Sequence, residues 1–374
     1  MKKIKILFTI PNFDTAGSQK PLFEIAKLLD KNKFIVEIVC LHNRGYFFQK
    51  VLQSGIKIHI IDLYKNARPV IKMLKECYQL SKIFKKINPH IIHSYHYAAD
   101  YTEPLAAKMA GIKWIYTKKN MSWFGPSCRG WKLRSWLASG IICQNSDMLR
   151  NFFPNIGKAK LIPIGVDTDE YKNQPNNKKI RDRWGFQDNS RIIISVANLV
   201  PVKGIEILIQ AFELLIPNYP DWELLIIGDD TTEYGLELKK DLSKKPYVKN
   251  RITFMGKQKN VREFLDISEI YVQPTLNQGR MEGAPIAIQE AMANGKIIIG
   301  SNIPGVRDQL KLFPDHLFNA GDVTELRDKL NRFMSNKSSA NNKIGNKFVH
   351  HVKKFYDLSL ETKNLEAFYK DIIS

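Results

Sequence analysis

The stretch from Asn277 to Gly300 restricts the possible folds of this chain more than any other segment. A glycine-containing turn leads into Pro285, a residue favoured at the first position of helices, and an apolar helix is predicted to follow. Asn294 and Gly295 are typical of a helix end, and residues 296–299 predict a buried strand. A helix that leads directly into a buried strand is typical of chains with alternating α and β elements.

The beginning of this helix is predicted to bind an anion. The backbone N–H groups of Gly283, Ala284 and Ile286 would point out of the helix start, together with the positive end of the helix dipole. Pro285 has no N–H to contribute. A diphosphate is the anion that we expect at this junction.

Short β-branched runs and amphipathic helices also alternate in the first half of the chain. Strands are predicted for residues 4–10, 34–40 and 56–61. A helix is predicted for 70–86, with Ile71, Leu74, Tyr78 and Ile83 on one face. This alternation predicts an α/β fold in which parallel sheets are covered by helices on both sides.

The length of 374 residues predicts two domains, each with its own core. We expect one domain in residues 1–175, a second in 185–345, and C-terminal helices in 346–374 that pack on the first. No apolar run is long enough to span a bilayer. The four scattered cysteines suggest neither a zinc site nor a disulfide framework, which favours a reducing cytosol.

Positive charge is concentrated in the first half of the chain. Residues 1–180 contain 30 Lys and Arg against 12 Asp and Glu, whereas 181–374 contain 27 against 25. This asymmetry predicts an anionic partner of the first half, either nucleic acid or a membrane surface. Because the basic residues are spread over many elements and no nucleic-acid recognition motif occurs, we favour an anionic membrane and expect no nucleic acid.

Glu282 and Glu290 lie eight residues apart in the sequence EGAPIAIQEAMANGKIII. This spacing resembles the motif of glycosyltransferase family 4, retaining enzymes that use nucleotide sugars and have two Rossmann-like domains facing a cleft, the GT-B fold. The resemblance implies that Glu282 lies beside the donor sugar and diphosphate, and that Glu290 binds the ribose hydroxyls. Lys203, in the turn before a predicted helix, would neutralise the diphosphate.

The resemblance extends to other loops that follow predicted strands. Gly17 stands where the family has a pair of glycines near the donor phosphate, although G-x-G-x-x-G is absent. Gly228 resembles a family Gly-Asp-Gly loop, and the nucleotide base is expected near Gly256 and Lys257. Asn198 occupies a position where many members have a second cation.

A histidine-rich strand end, HSYHY, resembles the family's His-x-His pair. Here the spacing is His93-x-x-His96, and Tyr95 stands where the second family histidine would fall. The resemblance favours His96 as a catalytic residue beside the reacting sugar, while a structural His93 with a surface His96 is the alternative. The resemblance places Tyr95, Lys119 and Asn120 on the acceptor side of the site.

Aromatic and basic residues are interleaved in residues 118–139, a pattern that suits a bilayer interface. The residues predicted to dock on a membrane are Trp123, Trp131, Lys132, Arg134 and Trp136. A partly buried helix with a solvated charged face is an equal alternative. The pattern predicts a cytoplasmic protein held on the inner face of the cell membrane, where it reaches a lipid-linked acceptor.

The predicted activity is transfer of a sugar from a nucleoside-diphosphate sugar, UDP being the expected carrier, to a glycan or lipid-linked acceptor. No cofactor or metal is expected, and the metal-like pair Asp167 and Asp169 lies in a connecting turn. A nucleotide-sugar epimerase, a sugar-phosphate-using synthase and a basic nucleic-acid-binding protein are the alternatives. Product analysis with a labelled donor separates transfer from isomerisation.

Overall fold

The computed structural model describes residues 3–14, 19–123, 127–174, 177–279 and 283–374. The strands, in chain order, are β1 Ile4–Thr9, β2 Phe34–Cys40, β3 Lys57–Ile60, β4 Ile91–Ser94, β5 Lys113–Lys118, β6 Gly140–Cys143, β7 Ala159–Leu161, β8 Arg191–Val196, β9 Trp222–Ile227, β10 Ile252–Phe254, β11 Ile270–Gln273, β12 Ile297–Ser301 and β13 Leu317–Phe318. The helices are α1 Gln19–Leu28, α2 Tyr46–Leu52, α3 Val70–Ile87, α4 Thr102–Ala110, α5 Cys128–Leu137, α6 Ser146–Phe152, α7 Asn177–Trp184, α8 Ile205–Glu213, α9 Glu233–Ser243, α10 Pro246–Lys249, α11 Val261–Asp266, α12 Ile286–Ala293, α13 Val306–Gln309, α14 Val323–Met334, α15 Ser338–Phe355 and α16 Leu358–Ile373.

The chain forms two compact units. The first takes in Met1–Ile164 and Leu358–Ser374, and the second is Gly165–Asp357. The chain therefore passes from the first unit to the second after Ile164 and returns to the first after Asp357.

The first unit has a seven-stranded parallel sheet in the order β3-β2-β1-β4-β5-β6-β7. Residues of β1 and β2 are mostly buried because their β-branched and aromatic side chains pack on both faces of the sheet. The C-terminal helix α16 joins this core through Leu365, Phe368 and Tyr369. Apolar contacts thus hold the C-terminal helix in the first unit.

Helix α3 has two apolar faces, and the one that it buries is not the one that the sequence analysis described. Its core-facing side chains include Met73, Cys77, Leu80 and Phe84. The expected face of Ile71, Leu74, Tyr78 and Ile83 points to solvent. Both sets recur at helical spacing, so periodicity alone could not decide which face is buried.

The second unit has a six-stranded parallel sheet in the order β10-β9-β8-β11-β12-β13. Alternate residues of β8 point to opposite sides: Ile193 packs with α8 and α14, whereas Ile192 and Ile194 pack with α12 and α15. Helices therefore cover both faces, as the alternating pattern predicts. The strand order reverses between β8 and β11, the kind of position at which open parallel sheets bind ligands.

Two segments lie in a different unit from the one predicted. Residues 346–357 belong to the second unit because they continue α15, whose Phe348 and Val352 are buried in its core. Only α16 returns to the first unit. Residues 165–175, expected in the first domain, also belong to the second unit, where Tyr171 is buried.

Within the described ranges, no helix is both long and apolar enough to cross a membrane.

Candidate functional site

In the second unit, the loops after β8 and β11 meet at the point where the strand order reverses. Gly204 has a φ of +63°, and a Cβ at this position would lie 2.2 Å from the carbonyl oxygen of Pro274. The N–H of Leu276 donates to the carbonyl of Val202 at 2.8 Å. Glycine is required here because a side chain would collide with the neighbouring backbone.

Lys203 lies at the centre of this contact. It ends a 3-10 turn, Pro201–Lys203, immediately before Gly204 and the start of α8. Its side chain is buried. The loop packing thus fixes a lysine at the carboxyl edge of the second sheet, where the diphosphate is predicted to bind.

The loops after β9 and β10 are packed in the same way. A Cβ on Gly228 would lie 2.0 Å from the carbonyl oxygen of Ala197, and the N–H of Gly228 donates to the carbonyl of Gly256 at 3.1 Å. Lys257, in the loop after β10, and Asn198, in the loop after β8, have exposed side chains. Four of the predicted donor-binding positions are therefore brought to one edge of the sheet.

The junction before α12 follows β11, the neighbour of β8, and so lies at the same carboxyl edge of the sheet. Pro285 has extended backbone angles and caps the helix, which begins at Ile286, one residue later than predicted. A Cβ on Gly305 would lie 2.1 Å from the carbonyl oxygen of Gly283, and Gln309 donates to the carbonyl of Pro285 at 3.2 Å. Residues around α13 therefore hold the junction from one side.

Ala284 and Gly283 belong to this held junction, whereas Glu282 and Gly17 lie outside the described residues.

Glu290, within α12, faces a residue that the sequence did not single out. Burial raises the pKa of the Tyr171 hydroxyl, and the facing carboxylate of Glu290 raises it further. Tyr171 lies 119 positions earlier in the chain, and no local pattern links the two residues. The contact places an aromatic side chain beside the carboxylate that is expected to bind ribose.

In the first unit, His96 follows β4 at the carboxyl edge of the sheet. Its imidazole stacks on Tyr64, with ring centroids 3.9 Å apart. Burial and the nearby cations of Arg134 and Lys119 lower the pKa of His96 to about 3, so the ring is neutral. Its Nδ1 atom is buried and has no hydrogen-bond partner in the described part of the chain.

His93 has a structural role, as one alternative expected. Its two ring nitrogens lie 2.7 Å from the Tyr369 hydroxyl and 2.8 Å from the Thr117 hydroxyl, and the side chain is fully buried. The same alternative expected His96 on the surface, but the side chain of His96 is buried. Tyr95 is buried beside His93, at a ring-centroid distance of 4.6 Å.

Lys118 and Lys119, at the end of β5, have different roles. Lys118 donates to the carbonyls of Asn120 and Ser122 and to the side-chain oxygen of Asn120, so it closes a turn. Asn120 also donates to the carbonyl of Tyr97. The polar groups of Asn120 are thus engaged in holding the loop rather than directed only at a ligand.

Lys119 differs from its neighbour. Its amino group is buried 4.4 Å from the centroid of the Tyr95 ring, and it has no hydrogen-bond acceptor among residues that the structure describes. Burial lowers the pKa of Lys119 to about 7, although the carboxylate of Glu361 acts in the opposite direction. An amino group without an acceptor is costly to bury, which suits a site that binds an anion.

Arg134 was predicted to face a membrane, and that prediction is wrong. The guanidinium is buried, where it donates to the carbonyls of Asp100 and His96 and to the hydroxyl of Ser94. It also lies over the ring of Trp114. Its role is to support the backbone that carries His96.

The membrane prediction is also wrong for Trp131, which is buried under the amino group of Lys118 at 3.9 Å. Trp123 stacks on Phe152 at 5.0 Å and so packs within the protein. Lys132 and Trp136 are exposed. Interleaved aromatic and basic residues form internal cation–π contacts here, a pairing that suits protein interiors as well as bilayers.

Asp167 closes a turn by accepting from the N–H groups of Asp169 and Glu170 at 3.1 and 2.9 Å. No group of three or more His, Cys, Asp or Glu side chains in the described ranges is placed to hold a metal ion.

Known proteins resemble the chain over nearly its whole length. Residues 16–170 match the model of Glycosyltransferase Family 4, and residues 176–348 match that of Glycosyl transferases group 1. The UDP-Gal:alpha-D-GlcNAc-diphosphoundecaprenol alpha-1,3-galactosyltransferase of Escherichia coli is 24% identical over 92% of this chain and 94% of its own. The N-acetyl-alpha-D-glucosaminyl L-malate synthase of Bacillus anthracis is 25% identical over 52% of this chain and 49% of its own.

Solved structures share the fold. A glycosyltransferase from Rickettsia africae superposes with a TM-score of 0.86 at 20% identity, covering 100% of both chains. The Anabaena protein HepE in complex with UDP superposes with a TM-score of 0.82 at 18% identity, covering 98% of this chain and 100% of its own. With two family matches in succession and two Rossmann-like units, the chain belongs to the glycosyltransferases of family 4 and group 1, enzymes of the GT-B fold.

Proposed function

We propose that this glycosyltransferase moves a sugar from a UDP-sugar, with retention of anomeric configuration, to a hydroxyl of a lipid-linked or polysaccharide precursor. One observation carries the proposal: the backbone packing at Gly204 and Gly305 brings Lys203 and the start of α12 to adjacent strand ends. A lysine and a helix start at one sheet edge suit a diphosphate. Charge that develops on the leaving diphosphate would be stabilised there.

UDP is the proposed carrier because of what similar proteins use. The Escherichia coli relative is named for UDP-Gal, and HepE has been solved with UDP-glucose. In this chain Glu290 and Tyr171 would hold the ribose, and Gly256 and Lys257 would lie near the base. Glu282 is proposed to act beside the donor sugar.

The first unit is proposed to present the acceptor. The Escherichia coli relative is named for a diphosphate-linked lipid acceptor. A buried Lys119 amino group suits such an acceptor because a phosphate would supply the missing hydrogen-bond acceptor. His96, neutral and with a buried Nδ1, is the proposed catalytic residue on this side.

No metal or other cofactor is proposed to take part. The enzyme would work in the cytoplasm on the inner face of the cell membrane, since the net charge of the first 180 residues favours an anionic surface.

The test is an assay of the purified protein with radiolabelled UDP-glucose, UDP-galactose and UDP-N-acetylglucosamine, each with a diphosphate-linked acceptor. Transfer from a UDP-sugar that persists in EDTA, with an α-configured product by NMR, supports the proposed donor, the retention of configuration and a metal-free reaction. Isomerised donor without transfer contradicts the proposed reaction. An inverted product contradicts retention alone, and loss of activity in EDTA contradicts the metal-free step alone.

A further inference from the structure

The outer face of α3 is apolar although nothing in the described structure packs on it. Ile71 is 85% exposed, Tyr78 55% and Leu74 42%. The opposite face of the same helix is buried through Met73 and Phe84, and the helix packs along α4. An ordinary surface helix has one apolar face, so a second one at helical spacing marks a contact surface.

Lysines surround this apolar stripe. The sequence of α3 contains five lysines and one acidic residue, Glu76. Lys75 and Lys82 lie on the exposed side between and beyond the apolar residues, and the Lys82 amino group lies 4.6 Å from the centroid of the Tyr78 ring. Towards the end of the helix Lys85 and Lys86 are exposed as well. Apolar residues with flanking lysines fit an anionic bilayer, into which the apolar groups insert while the ammonium groups meet the head groups.

The position of the stripe links it to the acceptor side of the same unit. Because α3 leaves the carboxyl end of β3 and returns to the amino end of β4, its first turns lie at the carboxyl edge of the sheet. His96 follows β4 at that edge. The segment that leads into α3 contributes Tyr64, whose ring stacks on His96.

We infer that the first half of α3, centred on Ile71, Leu74 and Tyr78, docks on an anionic lipid bilayer beside the loop that carries Tyr64. The inference rests in part on the proposed lipid-linked acceptor, since docking there would bring a lipid head group to the edge where His96 lies. It replaces the α5 segment predicted from the sequence, in which Trp131 and Arg134 are buried.

Flotation with vesicles tests the surface directly. The wild-type protein is expected to float with vesicles of phosphatidylcholine and phosphatidylglycerol at low salt, and not with phosphatidylcholine alone. The Ile71→Ser/Leu74→Ser variant should bind about tenfold more weakly or worse, because each buried apolar side chain contributes to partitioning. Lys75→Glu/Lys82→Glu should abolish the preference for anionic vesicles.

Trp136→Ser is the matched control. Trp136 is 66% exposed and lies beside Lys108, but it stands near the end of α5 and so at the opposite edge of the sheet. This variant should float as well as the wild type. Flotation that survives Ile71→Ser/Leu74→Ser, or that is lost in Trp136→Ser, overturns the inference. A wild-type dimer in light scattering that the Ile71→Ser/Leu74→Ser variant converts to monomer assigns the stripe to a second copy of the chain and also overturns it.

Transfer assays separate this inference from the proposed reaction. With a short-chain acceptor in solution, Ile71→Ser/Leu74→Ser should keep wild-type turnover, whereas with the acceptor embedded in vesicles its turnover should fall about tenfold. Equal loss on both acceptors contradicts a docking role. If no protein transfers sugar to any acceptor, the proposed reaction fails, while flotation still decides on the surface.

Discussion

The imidazole of His96 and the ring of Tyr64 lie stacked at the carboxyl edge of the first sheet, with centroids 3.9 Å apart and planes at 24°. Tyr64 comes from the loop after an edge strand, whereas His96 follows a central strand. The stack therefore fixes the orientation of an imidazole that has few polar contacts of its own.

Tyr64→Ala is expected to lower turnover by up to about tenfold, because stacked aromatic pairs contribute roughly 0.5–1.5 kcal/mol and the imidazole would lose its orientation. Tyr64→Phe keeps the ring and removes a hydroxyl that has no hydrogen-bond partner within the described residues. It should behave like the wild type. Initial rates at saturating donor measure both, with thermal melting as the check on folding. Equal rates for Tyr64→Ala and the wild type would mean that the stack has no part in the reaction.

Sequence patterns were sufficient where local chemistry decides the structure. β-Branched runs predicted the strands, and the resemblance to a family glycine loop indicated Gly228, where backbone contacts leave no room for a side chain. The motif around Glu282 and Glu290 could indicate the fold of the second unit because its residues lie close together along the chain.

Sequence patterns could not predict the packing of residues that lie far apart in the chain. Both faces of α3 are apolar, and only the structure shows that Met73 rather than Ile71 is buried. Interleaved lysine and tryptophan are typical of both a bilayer interface and a buried cation–π cluster, and Trp131 proved to belong to the latter. The contact of Glu290 with Tyr171 joins residues too far apart for any local pattern to reveal.

Lys119 should give acceptor use a pH dependence. Its pKa of about 7 means that the amino group is charged below pH 7 and neutral above it. For an anionic acceptor, kcat/KM should therefore be high below pH 7 and should fall by up to about tenfold per pH unit above it.

Two variants isolate this effect. Lys119→Arg keeps its charge at every accessible pH, so the fall above pH 7 should disappear. Lys119→Met should be low and flat across the range. A Lys119→Met profile that still falls above pH 7 would assign the titration to another group. These measurements use a fixed ionic strength because screening also weakens charge pairs.

Glu290→Ala is expected to weaken binding of the nucleotide by roughly 1.5–3 kcal/mol, the contribution of hydrogen bonds to a charged group. Calorimetric titration with UDP measures this without turnover. Tyr171→Phe should have a smaller effect, since it removes a hydroxyl that faces Glu290 but leaves the carboxylate. Unchanged affinity in Glu290→Ala would show that this carboxylate is structural, as would a fall in melting temperature with no change in affinity.

Lys203→Ala is expected to lower kcat more than it weakens donor binding. Charge on the diphosphate grows as the bond to the sugar breaks, so a cation beside it stabilises the transition state more than the ground state. The nearby positions Asn198 and Val200 carry no cation, which leaves Lys203 as the charged residue of this loop. The loss of one such stabilising group should lower kcat by about 10²-fold.

Lys257→Ala is the matched comparison. This exposed lysine follows β10, where the base is expected, so its loss should raise the KM for donor and leave kcat within a few-fold. Steady-state rates at varied donor concentration separate the two outcomes. A Lys203→Ala enzyme with wild-type kcat and a raised KM would mean that Lys203 binds the ground state as tightly as the transition state and does not stabilise the departing diphosphate.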